Sequence, residues 1–101
     1  MLVTRWQAAI VPDIKQITAV FQAEGLEPFE EGLDPDSVIG DHRHPFDEVR
    51  MVASGQMLID ISGNKLLLRA GDRIVIPSNT RHSKKVEGPH ACVCICAYKT
   101  Y

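Results

Sequence analysis

The spacing of apolar residues changes once along the chain. Between Pro12 and Gly25, Ile14, Ile17, Val20 and Phe21 recur three or four residues apart, which predicts a helix with one apolar stripe. Pro12 and Asp13 supply its start and cap, and Gly25 its stop. Before it, Leu2 to Ile10 reads as a strand whose only large anchor is Trp6. After Gly25 the period shortens to that of strands parted by turns, which predicts a sandwich or barrel. The turn signals are Asp34-Pro35-Asp36, His44-Pro45, Ser54-Gly55, Gly63-Asn64, Ala70-Gly71-Asp72, Pro77-Ser78-Asn79 and Gly88-Pro89. Gly63-Asn64, lying between Ile61 and Leu66, reads as a tight hairpin. Met57, Ile59 and Ile61 share one parity, as do Ile74 and Ile76, and these are the expected core.

A length of 101 residues accommodates one domain, an N-terminal strand and helix (1–26) followed by a barrel (27–101). A net charge of −2 gives no basic footprint for nucleic acid, and no segment reads as a helix-turn-helix. No apolar run approaches the roughly 20 residues of a membrane helix, and the first residues lack a signal-peptide layout. The expected setting is cytoplasmic, with neither nucleic acid nor membrane as a partner. Cys92, Cys94 and Cys96 alternate along one strand face. Neighbours two apart in a strand are poorly placed for an unstrained disulfide, so the trio reads as a strip of small buried side chains.

Candidate chemistry gathers in Gly40-Asp-His-Arg-His-Pro-Phe-Asp-Glu48, answered 34 residues later by His82. In an extended segment His42 and His44 leave the same face with α-carbons roughly 7 Å apart, a spacing suited to gripping one ion. Pro45 breaks the strand, and Glu48 opens the next apolar run, where its carboxylate can return to the same side. A carboxylate buried beside neutral imidazoles calls for a compensating cation. Three nitrogens and one oxygen suit a divalent zinc, iron, nickel, manganese or copper ion.

These residues resemble the cupin superfamily. Its first motif, H-x-H, then Glu after three residues and Gly after six more, is matched by His42, His44, Glu48 and Gly55. Its second, Gly, five residues, Pro, then His five positions on, is matched by Gly71, Pro77 and His82. The resemblance runs from about Pro35 to the C-terminus, with fifteen residues between Gly55 and Gly71. It implies an all-β, RmlC-like double-stranded β-helix or jelly-roll barrel, a metal held by His42, His44, Glu48 and His82, and a homodimer. Asp36 and Asn79 stand where the family commonly has glycine, and both tolerate a left-handed backbone. Val86 replaces the Asn that often ends the second motif.

By parity Arg50 faces the interior with Glu48. It either anchors a substrate anion through its planar fork or pairs internally with Asp60, Glu48 or a C-terminal group. The run Glu48-Val-Arg-Met resembles the Glu-Ile-Arg-Tyr of acireductone dioxygenases, iron- or nickel-dependent cupins. The likeness ends with the first motif, since His82-Ser83-Lys84 stands where those enzymes have His-Arg-Phe. Arg81, Lys84 and Lys85 read as a solvated edge, His90 as a solvated turn, and Tyr98 and Tyr101 as possible phenolic acids or bases.

Besides a purely structural barrel that holds no metal, two functions are consistent with these residues. One is a small-molecule metalloenzyme of dioxygenase, isomerase or lyase type, with Arg50 holding an anionic or enediol-like substrate and Glu48 able to act as base. The other is a metal-holding barrel that binds or senses a small ligand without turnover.

Overall fold

The computed structural model describes residues 2–100; Tyr101 lies outside them. The elements in chain order are β1 (Leu2–Thr4), α1 (Ile14–Ala23), β2 (Phe29–Leu33), β3 (Val38–His42), β4 (Asp47–Ser54), β5 (Gln56–Ile61), β6 (Asn64–Arg69), β7 (Arg73–Ile76), β8 (His82–Glu87) and β9 (Cys92–Lys99). They form two antiparallel sheets, β1-β7-β4-β9-β2 and β3-β8-β5-β6, folded face to face as a double-stranded β-helix. No helix among the described residues is long and apolar enough to cross a membrane.

Strand parity sorts the side chains into two cores. Val52, Met57, Ile59, Ile61, Leu68, Ile74, Ile76, Val86 and the three cysteines fill the space between the sheets. The opposite face of the five-stranded sheet, with Val49, Met51, Ile95 and Ala97, packs against Ile17 and Phe21 of α1. The helix is capped as its sequence predicts: the Asp13 carboxylate accepts from the Gln16 amide, and the Gln16 side chain accepts from the Asp13 amide. Only half of its apolar stripe is covered, however. Ile17 and Phe21 are buried, whereas Ile14 and Val20 remain exposed.

Two local expectations need correction. The first strand is three residues long rather than nine, and it pairs with β7 of its own sheet. Beyond it, Asp72 holds the chain by accepting from the Trp6 amide and the Arg5 guanidinium, so side-chain contacts replace the ladder. The β5–β6 hairpin turns on Ser62-Gly63, not Gly63-Asn64, because Ile61 pairs with Asn64. Both turn residues have positive φ (51° and 88°), as a type I′ hairpin turn requires, and the Asp60 side chain accepts from the Gly63 amide.

Asp36 (φ 67°) and Asn79 (φ 56°) do occupy the left-handed region, so the two missing family glycines cost the turns little. Gly55 cannot be replaced as easily. At φ 79°, a Cβ there would run into the backbone of Ala91 and Cys92.

Candidate metal centre

Three backbone devices bring His42, His44, Glu48 and His82 together. The β3–β8 ladder pairs Ile39 with Lys84 and His42 with His82, so that Gly40 and Asp41 together answer Ser83, and this bulge is what lets His42 face inward. The strand ends at His42, and His44 lies in the connection to β4 rather than on the same strand. Its position is held instead by the Asn79 amide, which donates to the His44 carbonyl at 2.6 Å, and by stacking of its ring on Phe46 (4.8 Å, 5°). Glu48 enters from β4, between Ile76 of β7 and Tyr98 of β9.

The three imidazoles converge with ring centroids 4.3 to 5.0 Å apart. Nδ1 of His42 lies 2.8 Å from the Gly40 carbonyl, and Nδ1 of His82 2.8 Å from the Thr80 carbonyl. A carbonyl can only accept, so both Nδ1 atoms carry the hydrogen, which leaves Nε2 as the ligating atom of each ring. One donor atom from each of the four residues can be chosen so that all lie within 4.8 Å of one another. Ligands about 2.1 Å from a shared ion stand roughly 3 to 4 Å apart, so a small inward movement would suffice.

His82 carries the test of fit. Its Nε2 is buried and has no hydrogen-bond partner, the nearest carboxylate oxygen being Oε1 of Glu48 at 4.0 Å. Protonation does not relieve it: burial pushes the His82 and His44 imidazoles below their ordinary range, and the positive charge of Lys84 adds to this. An oriented, neutral nitrogen with no partner in the protein suits a metal ion.

The compensation of Glu48 is not as the sequence implied. Lys84, expected on a solvated edge, is 5% exposed, and its Nζ lies 3.1 and 2.9 Å from the two oxygens of Glu48. Arg50 is 1% exposed and donates through Nε to Glu48 Oε2 (3.0 Å) and through Nη1 to Glu31 Oε1 (2.7 Å). Burial raises the Glu48 carboxyl, but Arg50 and Lys84 outweigh it and hold it down at about 2. The buried carboxylate is therefore balanced within the chain, and the case for a metal rests on the histidines. With two carboxylates already matching its charge, Arg50 is not left as an open anchor for a substrate anion. Its internal partners are Glu48 and Glu31, not Asp60.

Sequence reasoning missed Lys84 and Glu31. A signal for Lys84 was present: His82, Lys84 and Val86 share one parity on β8, and all three are buried. Glu31 had none as clear, because β2 is only partly covered.

Of the other residues weighed, Arg81, Lys85 and His90 are exposed. Cys92, Cys94 and Cys96 are free and wholly buried. Burial pushes the Cys96 thiol up to about 12, as befits a neutral apolar filler. Tyr98 is half-exposed and joins Phe29 and Phe46 in an aromatic rim, 6.0 Å from the His44 ring.

Comparison with known proteins agrees with this fold. No curated protein sequence matches the chain. Among solved structures, the cupin domain of Cnp3 from Schizosaccharomyces pombe superposes with a TM-score of 0.70 at 9% identity, over 73% of this chain and 52% of that one. The chain thus spans about half that structure's length. KdgF from Halomonas sp. gives a TM-score of 0.65 at 25% identity, covering 75% of this chain and 70% of that chain. An RmlC-like cupin from Shewanella frigidimarina gives 0.66 at 21%, covering 75% and 67%. The family model described as "Cupin domain" matches residues 29–98, well over half of the sequence, and the chain belongs to that family.

Proposed function

We propose that this chain is a metal-binding cupin that acts on a small anionic or enediol-like molecule at a centre formed by His42, His44, Glu48 and His82. The observation that carries this reading is the buried Nε2 of His82, held in orientation by the Thr80 carbonyl and left without a partner. A divalent ion (zinc, iron, nickel, manganese or copper) held by these four residues would supply Lewis-acid or oxygen-activating chemistry.

The chain's own residues determine how a substrate meets that centre. His42 and His82 have their rings fixed by backbone carbonyls. Lys84 and Arg50 hold the Glu48 carboxylate in place, with Oε1 on the side of His44 Nε2 at 3.6 Å. The rim of Phe29, Phe46 and Tyr98 offers apolar and aromatic surface to the body of a small molecule whose oxygens reach inward. Dioxygenation, isomerisation and lyase chemistry all fit such a site, the metal deciding among them.

One observation favours the second reading, a metal-holding barrel that binds a ligand without turnover. Both oxygens of Glu48 are taken by Lys84 and one also by Arg50, so Glu48 is poorly placed to leave and accept a substrate proton.

Elemental analysis of natively purified protein, followed by oxygen-uptake and product assays against small carboxylates and enediols, tests both. Stoichiometric metal with turnover is the expected result. Metal with ligand binding but no turnover would favour the second reading. Absence of metal binding, with the same behaviour in a His82→Leu variant, would dispose of both.

A further inference from the structure

The charges around the centre already cancel. Glu48 and Glu31 contribute two negative charges, Arg50 and Lys84 two positive ones, and these four groups contact one another. Three of them, Glu48, Arg50 and Lys84, are at most 5% exposed. The three histidines add no charge when neutral. A divalent ion entering this arrangement brings two uncompensated positive charges into a largely buried site, which is unfavourable unless something negative arrives with it.

Lys84 is the group that creates this condition. Arg50 has its own second carboxylate in Glu31, so without Lys84 the centre would carry a net negative charge available to a metal. The ammonium instead grips both Glu48 oxygens, the donor that would face the ion.

From this charge balance we infer that Lys84 acts as a resident counter-cation, weakening metal binding by itself and coupling it to an anionic ligand that enters the same site. The inference rests on the metal-binding reading above and deepens it. The favoured substrate is one whose anionic oxygen binds the ion directly, rather than one held by Arg50. By linkage, whatever factor the anion adds to metal affinity, the metal adds equally to anion affinity.

The test uses cobalt(II) as the metal, followed by its visible absorption bands, and azide as the anion. Cobalt is titrated into the metal-free wild-type chain and into Lys84→Leu, Lys84→Arg and the double variant Glu48→Gln/Lys84→Leu, each with and without azide. In the wild type, azide should raise the apparent cobalt affinity severalfold. Lys84→Leu should bind cobalt roughly tenfold more tightly without azide, even under water-like screening of one unit charge, and its azide dependence should shrink. Lys84→Arg should behave as wild type, and the double variant should lose the gain, because Glu48 is what Lys84 withholds.

Equal or weaker cobalt affinity in folded Lys84→Leu would overturn the inference while leaving the metal site standing. Should Lys84→Leu fail to fold, the wild type still decides: cobalt affinity indifferent to azide overturns the coupling. If no variant binds cobalt under any condition, the metal-binding reading fails first and takes this inference with it.

Discussion

Replacing His82 with leucine should make the metal-free protein more stable while abolishing its response to metal. His82 is 1% exposed; its Nδ1–H donates to the Thr80 carbonyl, while its Nε2 is buried without a partner. Leaving a buried acceptor unmet costs about 1–3 kcal/mol, and the lost Nδ1 bond returns about 0.5–1.5 kcal/mol in the opposite direction. Leucine is of similar bulk and would lie beside Ile61, its neighbour across the ladder, so a net stabilisation of about 1 kcal/mol is expected. For a chain near 100 residues this raises Tm by about 4–8 °C. Zinc at about 100 times its Kd should stabilise the wild type by about 2.7 kcal/mol, an upward shift of about 10–20 °C, and the variant hardly at all. Calorimetric melts of both proteins, in chelator and in zinc, measure all four quantities. A His82→Leu protein that melts well below wild type in chelator, or that keeps the full zinc shift, would refute the reasoning about the orphaned nitrogen.

Arg50→Met should be among the most damaging single changes, with a loss of about 3–5 kcal/mol in urea unfolding, because it strips one partner from buried Glu48 and the only described partner from Glu31. The pH dependence of the metal-free protein has a definite sign. Glu48 is lowered from 4.5 to about 2, so its contribution is complete above pH 4.5 and is lost as pH falls towards 2; it amounts to about 3 kcal/mol. Urea midpoints between pH 6 and pH 3 should therefore fall more steeply for wild type than for Glu48→Gln, and parallel curves would contradict this. Gly55→Ala should destabilise by more than about 2 kcal/mol, since the residue sits at φ 79° and its Cβ would meet the Ala91 backbone. A thermal melt within a degree or two of wild type would count against that assignment.

Much of this molecule was legible from local pattern. The helix could be read between Asp13 and Gly25 because caps and apolar period act within a few residues. Met57, Ile59, Ile61, Ile74 and Ile76 could be assigned to the core because strand parity decides facing without knowledge of the partner strand. Asp36 and Asn79 could be read as left-handed turns from their own chemistry. The ligand candidates followed from motif spacing, and the tertiary structure brings all four together.

The charges around Glu48 were not legible in that way. Arg50 finds Glu31 from 19 residues away, and Lys84 reaches Glu48 across 36. The first pairing depends on the strand order that sets β4 and β2 on either side of β9, the second on how the two sheets face each other across the barrel, and no window of local sequence contains either. The same holds for the register that puts the hairpin at Ser62-Gly63 and for the bulge that turns His42 inward. Sequence periodicity determined the facing of the apolar residues on the regular strands. Only the closed fold decided which charged side chains meet, because an electrostatic contact is set by distances between strands and not by spacing along one.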